Sequence, residues 1–147
     1  GYMAQFSGPY AVTVGLLGGS GLGAGLADYT DELAQDPHRR ELMAKVDVVA
    51  DARCDEIFPY QFPSILTVRT TDGRQLRAEV LTNRGGPERP LSFDEIAAKF
   101  TDNASRVLDS ARCEDVRRLV RGFAELDDVG ALLSPLTDLQ LSHRTER

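Results

Sequence analysis

The sequence predicts an α+β fold, with a small and mostly antiparallel sheet of about three strands that helices cover on one face. One observation behind this is a hairpin pattern, in which two alternating runs flank the turn signal Asp72-Gly73. Another is the capping box Ser92-x-x-Glu95, which begins a stretch with apolar residues at helical spacing. The chain has 147 residues, enough for one domain with a buried core.

The first predicted element spans residues 9–17. A helix fits this stretch because Pro9 suits the first helical turn. The apolar run at residues 11–14 is equally typical of a buried strand, and periodicity leaves both alternatives open. Residues 18–25 contain five glycines, so we expect a loop there.

A second helix and a strand follow the loop. Asp36 suits the N-cap and Pro37 the first position of a helix that continues to Lys45. Residues 46–50 are rich in valine, which favours a strand. This strand completes the predicted sheet, together with the two strands of the hairpin at residues 64–81.

The C-terminal half is predicted to be a loop at residues 84–90 followed by three helices. The first two helices each have an apolar face, formed by Ile96, Phe100, Ala104, Val107 and Leu108 and by Val116, Leu119, Val120, Phe123 and Leu126. The third helix covers residues 129–133, and Asp127 and Asp128 suit its N-cap.

Charge and composition exclude several classes of function. The net charge is −6, which argues against nucleic-acid binding, because that needs a basic surface. No apolar run approaches the roughly 18 residues of a transmembrane helix, so we expect no membrane association. Cys54 and Cys113 are far apart and His38 and His143 are isolated, which predicts no metal site. Two free thiols are typical of a cytoplasmic protein.

Two groups suggest chemistry, each with an ordinary alternative. The pattern Gly19-x-Gly21-x-x-Ala24 fits a loose dinucleotide fingerprint, which requires a preceding strand and a second parallel strand. The alternative is a flexible connection or an active-site flap. Lys99 lies among apolar residues, where a partly buried amine acts as a base, but a solvated helix face gives the same pattern.

Tyr10 is the third candidate. Its phenol stays protonated at neutral pH, because an unperturbed tyrosine has a pKa near 10. The hydroxyl is therefore able to donate a hydrogen bond or a proton to a substrate oxygen. A tyrosine beside a proline at a helix start is also a common core or interface residue, and the residues themselves do not decide between these roles.

Several short motifs follow one another along residues 4–133. They are Phe6-Ser7-x-x-Tyr10, Asp36-Pro37, Val46-Asp47-Val48, Thr71-Asp72-Gly73-Arg74, Arg84-Gly85, Arg89-Pro90-Leu91-Ser92 and Lys99-Phe100-Thr101-Asp102-Asn103-Ala104-Ser105. In this order the set resembles the C-terminal part of the MmgE/PrpD family, which includes 2-methylcitrate dehydratase, cis-aconitate decarboxylase and iminodisuccinate epimerase.

The resemblance implies a domain organisation. Residues 1–135 would form the smaller, α+β domain of a two-domain protein, and residues 136–147 a polar tail. Residues 1–18 would form a helix that belongs with an N-terminal helical domain. The active site of the family lies in the cleft between the two domains, usually in a homodimer, and it uses no metal and no organic cofactor.

The resemblance also assigns site residues. The family tyrosine that lines the cleft maps onto Tyr10, which is the expected catalytic residue. Ser7 and Arg84 are the expected substrate-binding residues, Ser7 as the neighbouring serine of the motif and Arg84 as part of a family loop motif.

The expected function follows from this assignment. The chain would be the C-terminal fragment of a cofactor-independent lyase or isomerase that acts on a small polycarboxylate. The acidic, histidine and lysine residues that transfer protons in the family lie in the N-terminal helical domain. We therefore expect the chain to be inactive without that domain or a companion subunit. The alternative is a stand-alone, non-catalytic domain that binds a partner or a ligand.

Overall fold

Helices and one antiparallel hairpin make up the fold, which confirms the predicted α+β class. A computed structural model of the chain describes residues 1–137. In chain order the elements are α1 Gly8–Leu17, α2 Asp31–Gln35, α3 Pro37–Met43, α4 Ala52–Ile57, β1 Ser64–Arg69, β2 Gln75–Val80, α5 Phe93–Ala104, α6 Ser110–Arg121 and α7 Gly130–Thr137. Short 3₁₀ helices lie at Tyr2–Phe6, Leu26–Asp28 and Phe123–Glu125.

The first predicted element is a helix, so the structure decides between the two alternatives that periodicity left open. Ser7 is the N-cap of α1, Pro9 lies in its first turn, and Gly18 follows its end. Gly18 has a φ of 82°, the left-handed conformation that glycine adopts without strain. α1 packs against α3. The buried residues of α1 are Tyr10, Thr13 and Val14.

Side-chain caps set the boundaries of the next two helices. The predicted helix start at Asp36 is confirmed, because its carboxylate accepts the N–H of Arg39 at 2.8 Å and so caps α3. The hydroxyl of Thr30 caps α2 in the same way. α2 was not predicted, since its single turn is too short to show an apolar periodicity.

The predicted strand at residues 46–50 is wrong. The backbone there is irregular, and the side chains of Val48 and Val49 are 73% and 79% exposed. Valine content indicates that a segment suits a pleated surface, but a strand also needs a neighbour for its N–H and C=O groups. The described sheet therefore has two strands rather than about three. α4 follows this segment and begins at the N-cap Asp51.

The predicted hairpin is confirmed. β1 and β2 pair antiparallel along their full lengths, in the register Ser64↔Val80. Gly73 in the turn has a φ of 84°, which explains the Asp-Gly signal. Ile65 and Val68 of β1 are half-buried, whereas all six residues of β2 are exposed.

The two predicted C-terminal helices are present as α5 and α6, but both end earlier than predicted, since Val107 and Leu108 follow α5 and Phe123 and Leu126 follow α6. The capping box at the start of α5 is complete, because the Ser92 hydroxyl and the Glu95 carboxylate each accept the other residue's N–H. The buried side is narrower than the predicted apolar faces: Leu108 and Val116 are buried, but Val107 is 67% exposed.

The last helix, α7, is longer than the predicted span of residues 129–133 and continues through Pro135. The Asp128 carboxylate accepts the N–H of Gly130 at 3.0 Å at its start, as expected for a capping acid. Apart from its first two residues, the predicted polar tail at 136–147 lies outside the described part of the chain. No helix within residues 1–137 is long and apolar enough to cross a membrane.

Candidate functional site

The glycine-rich loop at residues 18–25 is fastened by one buried carboxylate. Oδ2 of Asp28 accepts the N–H of Ser20 at 2.9 Å, the hydroxyl of Ser20 at 2.7 Å and the N–H of Gly25 at 2.9 Å. Asp28 is only 8% exposed. The bonds tie both ends of the loop to one point, so the loop is an anchored structure and not a free flap.

The three hydrogen bonds also decide the charge of Asp28. Burial raises the pKa of this carboxyl, but the bonds from Ser20 and Gly25, together with the positive charge of Arg39, outweigh burial. As a result, the pKa lies below its ordinary value of 3.8. The anchor of the loop is therefore ionised at neutral pH, and its bonds to the loop are charge-assisted.

Tyr10, the expected catalytic residue, contacts the main chain of the same anchor residue, Asp28. Its side chain is completely buried, and the phenol donates a hydrogen bond of 2.6 Å to the main-chain oxygen of Asp28. The ring also contacts Tyr29, with 5.6 Å between the ring centroids, and the guanidinium carbon of Arg39 lies 5.9 Å from its centroid. The phenol proton is thus engaged within the fold.

Ser7, an expected substrate-binding residue, supports Tyr10 through the backbone. The Ser7 hydroxyl accepts the N–H of Tyr10 at 3.2 Å, which is the N-cap interaction of α1. The hydroxyl proton of Ser7 is not used in that bond, so it remains available for a ligand.

Arg84, the other expected substrate-binding residue, contacts the glycine-rich loop itself. Its Nη1 donates to the main-chain oxygen of Leu22 at 3.3 Å, and its Nη2 forms an ion pair with Glu95. The N–H of Ser92 and the Arg84 guanidinium lower the pKa of Glu95 from 4.5 to about 2. Arg84 therefore connects the loop to the first turn of α5.

α5 contributes a second carboxylate beside the loop. A Cβ atom placed on Gly25 would lie 2.5 Å from Oδ2 of Asp102 and 2.5 Å from the hydroxyl oxygen of Ser20. A Cβ atom on Gly21 would lie 3.1 Å from the same Asp102 oxygen, and Gly21 has a φ of 57°. Glycine at these positions thus serves the close approach of α5 to the loop.

Of the expected site residues, Arg84 contacts the glycine-rich loop directly, whereas Tyr10 and Ser7 connect to it through Asp28. Tyr10 contacts the loop anchor, Arg84 contacts the loop itself, and Ser7 holds the backbone of Tyr10. Asp28 and Asp102 were missed, because an acidic residue after a glycine run or on a helix carries no signal of a tertiary contact. For Glu95, which forms an ion pair with Arg84, the capping box with Ser92 was the only signal in the local sequence.

The other candidates receive different environments. The glycines follow the helix α1 and not a strand, so the dinucleotide fingerprint lacks the strand that it requires. Lys99 is exposed on α5, which favours the solvated helix face over a buried base. His38 is exposed on α3, and His143 lies outside the described residues.

Comparison with known proteins supplies a family. The family model described as MmgE/PrpD C-terminal domain matches residues 1–124 of the chain. The matched span includes the glycine-rich loop, both of its carboxylate neighbours and all three expected site residues. A search of curated proteins found no match.

Proposed function

This chain belongs to the MmgE/PrpD C-terminal domain family, and on that premise we propose that it acts as the C-terminal domain of a cofactor-independent lyase or isomerase. The substrate class is a small polycarboxylate, as in the family that the sequence resembles. The match over residues 1–124 is the observation that carries this proposal. We further propose a cytoplasmic location, which agrees with the free thiols of Cys54 and Cys113.

The proposed reaction begins with removal of a proton next to a carboxylate. The enolate formed in this way either expels a hydroxyl group, which an acid of the helical domain protonates to water, or is reprotonated on carbon. In a decarboxylation, carbon dioxide leaves in place of the proton, and the electron pair left on carbon is protonated. Each route passes through developing negative charge on an oxygen, and preorganised hydrogen-bond donors stabilise that charge. We assign Tyr10 this donor role, with Ser7 and Arg84 as substrate-binding residues.

Tyr10 needs a change of partner to perform this role. A phenol has one O–H group, and that of Tyr10 already donates to the main-chain oxygen of Asp28. The proposal therefore includes a step in which the segment around Asp28 moves and a substrate oxygen replaces the carbonyl. If Tyr10 never leaves Asp28, its part is to position the loop and not to donate to the substrate.

The proton-transfer residues have to come from another polypeptide region. By the resemblance, they lie in an N-terminal helical domain, supplied either in the same protein or by a companion subunit. An apolar surface formed by Tyr2, Met3 and Phe6, each more than 70% exposed, supports such a contact. We propose that this surface meets the helical domain, and that the complete assembly is a homodimer.

Reconstitution tests the proposal. The chain is assayed alone and as a complex with the helical domain of a family member, against a panel of small hydroxy-polycarboxylates. We expect turnover only in the complex, and a loss of orders of magnitude in kcat for Tyr10→Phe. Turnover by the chain alone would contradict the division of labour, and a complex as fast with Tyr10→Phe would remove Tyr10 from the chemistry.

The same exposed apolar surface also favours the alternative, a non-catalytic domain that binds a partner. Phe6→Ser, with a matched exposed control such as Tyr60→Ser, separates the two. If the wild-type complex turns over substrate and Phe6→Ser abolishes both complex formation and turnover, the enzyme is supported. If the wild-type complex forms without turnover and Phe6→Ser abolishes only its formation, the binding domain is supported. Phe6 and Tyr60 are 72% and 89% exposed, so neither change removes core packing.

A further inference from the structure

A cavity of about 270 Å³ lies between the glycine-rich loop and α5. The loop and the residues after it, including Tyr29, form one wall, and Lys99, Asp102 and Asn103 of α5 form the other. Gln5 from the N-terminal segment closes one side. The cavity is separate from the buried phenol of Tyr10, and Tyr29, whose ring contacts the Tyr10 ring, lies between them.

The polar groups of this cavity share one helix face. Lys99, Asp102 and Asn103 are spaced by three and four positions, which places them side by side on α5. Among the described residues, the Lys99 ammonium forms no ion pair within 4.0 Å, and the carboxylate oxygens of Asp102 accept no hydrogen bond. The wall therefore offers a cation, an anion and an amide that the fold itself does not use.

The Asp102 carboxylate lies against the glycine-rich loop, although no described residue donates a hydrogen bond to its oxygens. Its Oδ2 lies so close to Gly25 that a Cβ atom there would be 2.5 Å away. The glycine-rich loop, fastened by Asp28, thus gives the cavity a rigid edge on the side of Asp102. A ligand would meet an arrangement that is already formed.

We propose that this cavity binds a small carboxylate that carries a hydroxyl or ammonium group beside the carboxylate. The Lys99 ammonium pairs with the ligand carboxylate, and the Asp102 carboxylate accepts the hydrogen bond of the hydroxyl or ammonium group. The amides of Gln5 and Asn103 bind the remaining oxygens. The size and class of the ligand rest on the proposed function. Binding is measured on the chain by itself, so a failure to bind and a failure of the reconstituted complex to turn over are distinguishable.

The chain contains only two lysines, Lys45 and Lys99, which makes a direct test available. Reductive methylation with a ¹³C label marks both ammonium groups and the N-terminal amine and keeps their charge. Lys45, just after α3, forms an exposed ion pair with Glu41, and the N-terminal amine pairs with Asp31, so both are internal controls. The labelled chain is titrated with L-malate, L-aspartate and succinate, and the methyl resonances are followed by NMR.

We expect malate or aspartate to shift the Lys99 methyl resonance saturably and to leave the Lys45 resonance in place. Comparing these two ligands tells a hydroxyl ligand from an ammonium ligand, and succinate, which has neither group, should bind about tenfold more weakly. Asp102→Asn should remove the preference over succinate. In a ¹⁵N-labelled chain the ligands should also shift the backbone amide of Tyr29, which lines the cavity. Lys99→Met should abolish this shift, and Lys45→Met should not.

Two results would overturn the inference. Equal, non-saturating shifts of Lys45 and Lys99 would show general ion pairing at the surface. Binding of succinate as strong as that of malate and aspartate, with no effect of Asp102→Asn, would remove Asp102 from the site. Either result stands whatever the reconstituted complex turns over.

Discussion

The phenol of Tyr10 donates a 2.6 Å hydrogen bond to the main-chain oxygen of Asp28, whose own carboxylate fastens the glycine-rich loop. Asp28 thereby connects a residue expected to be catalytic, through its main-chain oxygen, to the loop, through its carboxylate. A movement of the Asp28 backbone that frees the phenol would also move the carboxylate that holds the loop. The stability of this domain and the role proposed for Tyr10 therefore depend on the same hydrogen bond.

Tyr10→Phe tests the structural part of this dependence. The change leaves the buried Asp28 oxygen without its donor, so we expect the free energy of unfolding to fall by about 1–3 kcal/mol. Urea unfolding of both proteins measures it. The control is Tyr60→Phe, because Tyr60 is 89% exposed. Equal stability of the two variants would show that the Tyr10 hydrogen bond adds nothing to the folded state.

Asp28→Asn tests the charge of the loop anchor. Replacing the carboxylate with an amide weakens charge-assisted bonds, and we expect a loss of about 1.5–3 kcal/mol at pH 7. The folded state lowers the pKa of Asp28 below 3.8, so the contribution of the ionised group is complete above the unfolded pKa and is lost as the pH falls through the folded pKa. The stability difference between wild type and variant should shrink below about pH 4. A difference independent of pH from 7 to 2.5 would contradict the charge argument.

Gly25→Ala tests the close approach of α5 to the loop. Gly25 has a φ of −107°, which alanine adopts readily, so any effect is steric. The new methyl group would lie 2.5 Å from oxygens of Asp102 and Ser20, and we expect a destabilisation of about 1–3 kcal/mol. The matched control is Gly15→Ala inside α1, where nothing lies within 4 Å and alanine should stabilise by about 0.5–1 kcal/mol. If both substitutions stabilise, the loop is free to move away from α5.

Arg84→Met tests the link between the loop and α5. The N–H of Ser92 is the larger cause of the low pKa of Glu95 and remains, while the cation and its hydrogen bond disappear. The Glu95 pKa should therefore rise from about 2 but stay below 4.5, as followed by ¹³C NMR of the Glu95 carboxyl group. Arg106→Met serves as the control, since Arg106 is exposed. An unchanged Glu95 titration would show that the ion pair with Arg84 is not formed in solution.

Local chemistry explains which parts of the fold the sequence predicted. The Asp72-Gly73 turn, the capping box of Ser92 and the Asp36 cap each depend on contacts within a few residues, and all three are present. The strand at residues 46–50 depends on a partner far along the chain, and valine content holds no information about it. The missed α2 is one turn long, below the reach of periodicity.

In the candidate site as well, local motifs were predictable from the sequence and tertiary contacts were not. The motif positions of Tyr10, Ser7 and Arg84 were available from the sequence, and in the structure Arg84 contacts the loop while Ser7 and Tyr10 connect to its anchor, Asp28. The hydrogen-bond partners of these residues could not be predicted from the sequence. Every residue has a main-chain oxygen such as that of Asp28, and only tertiary packing decides which donor reaches it. The approach of Asp102 to Gly25 belongs to the same class of contact.

The hairpin carries a last consequence, since β2 is exposed at all six positions and the described sheet has no third strand. A two-stranded unit with so little burial is held mainly by its own ladder, and such units open at low free energy. Its amide protons should exchange with solvent long before those of α1, where Tyr10, Thr13 and Val14 are buried. We therefore expect a slowly exchanging layer around the loop anchor, and a hairpin that opens to solvent while the rest of the fold remains closed.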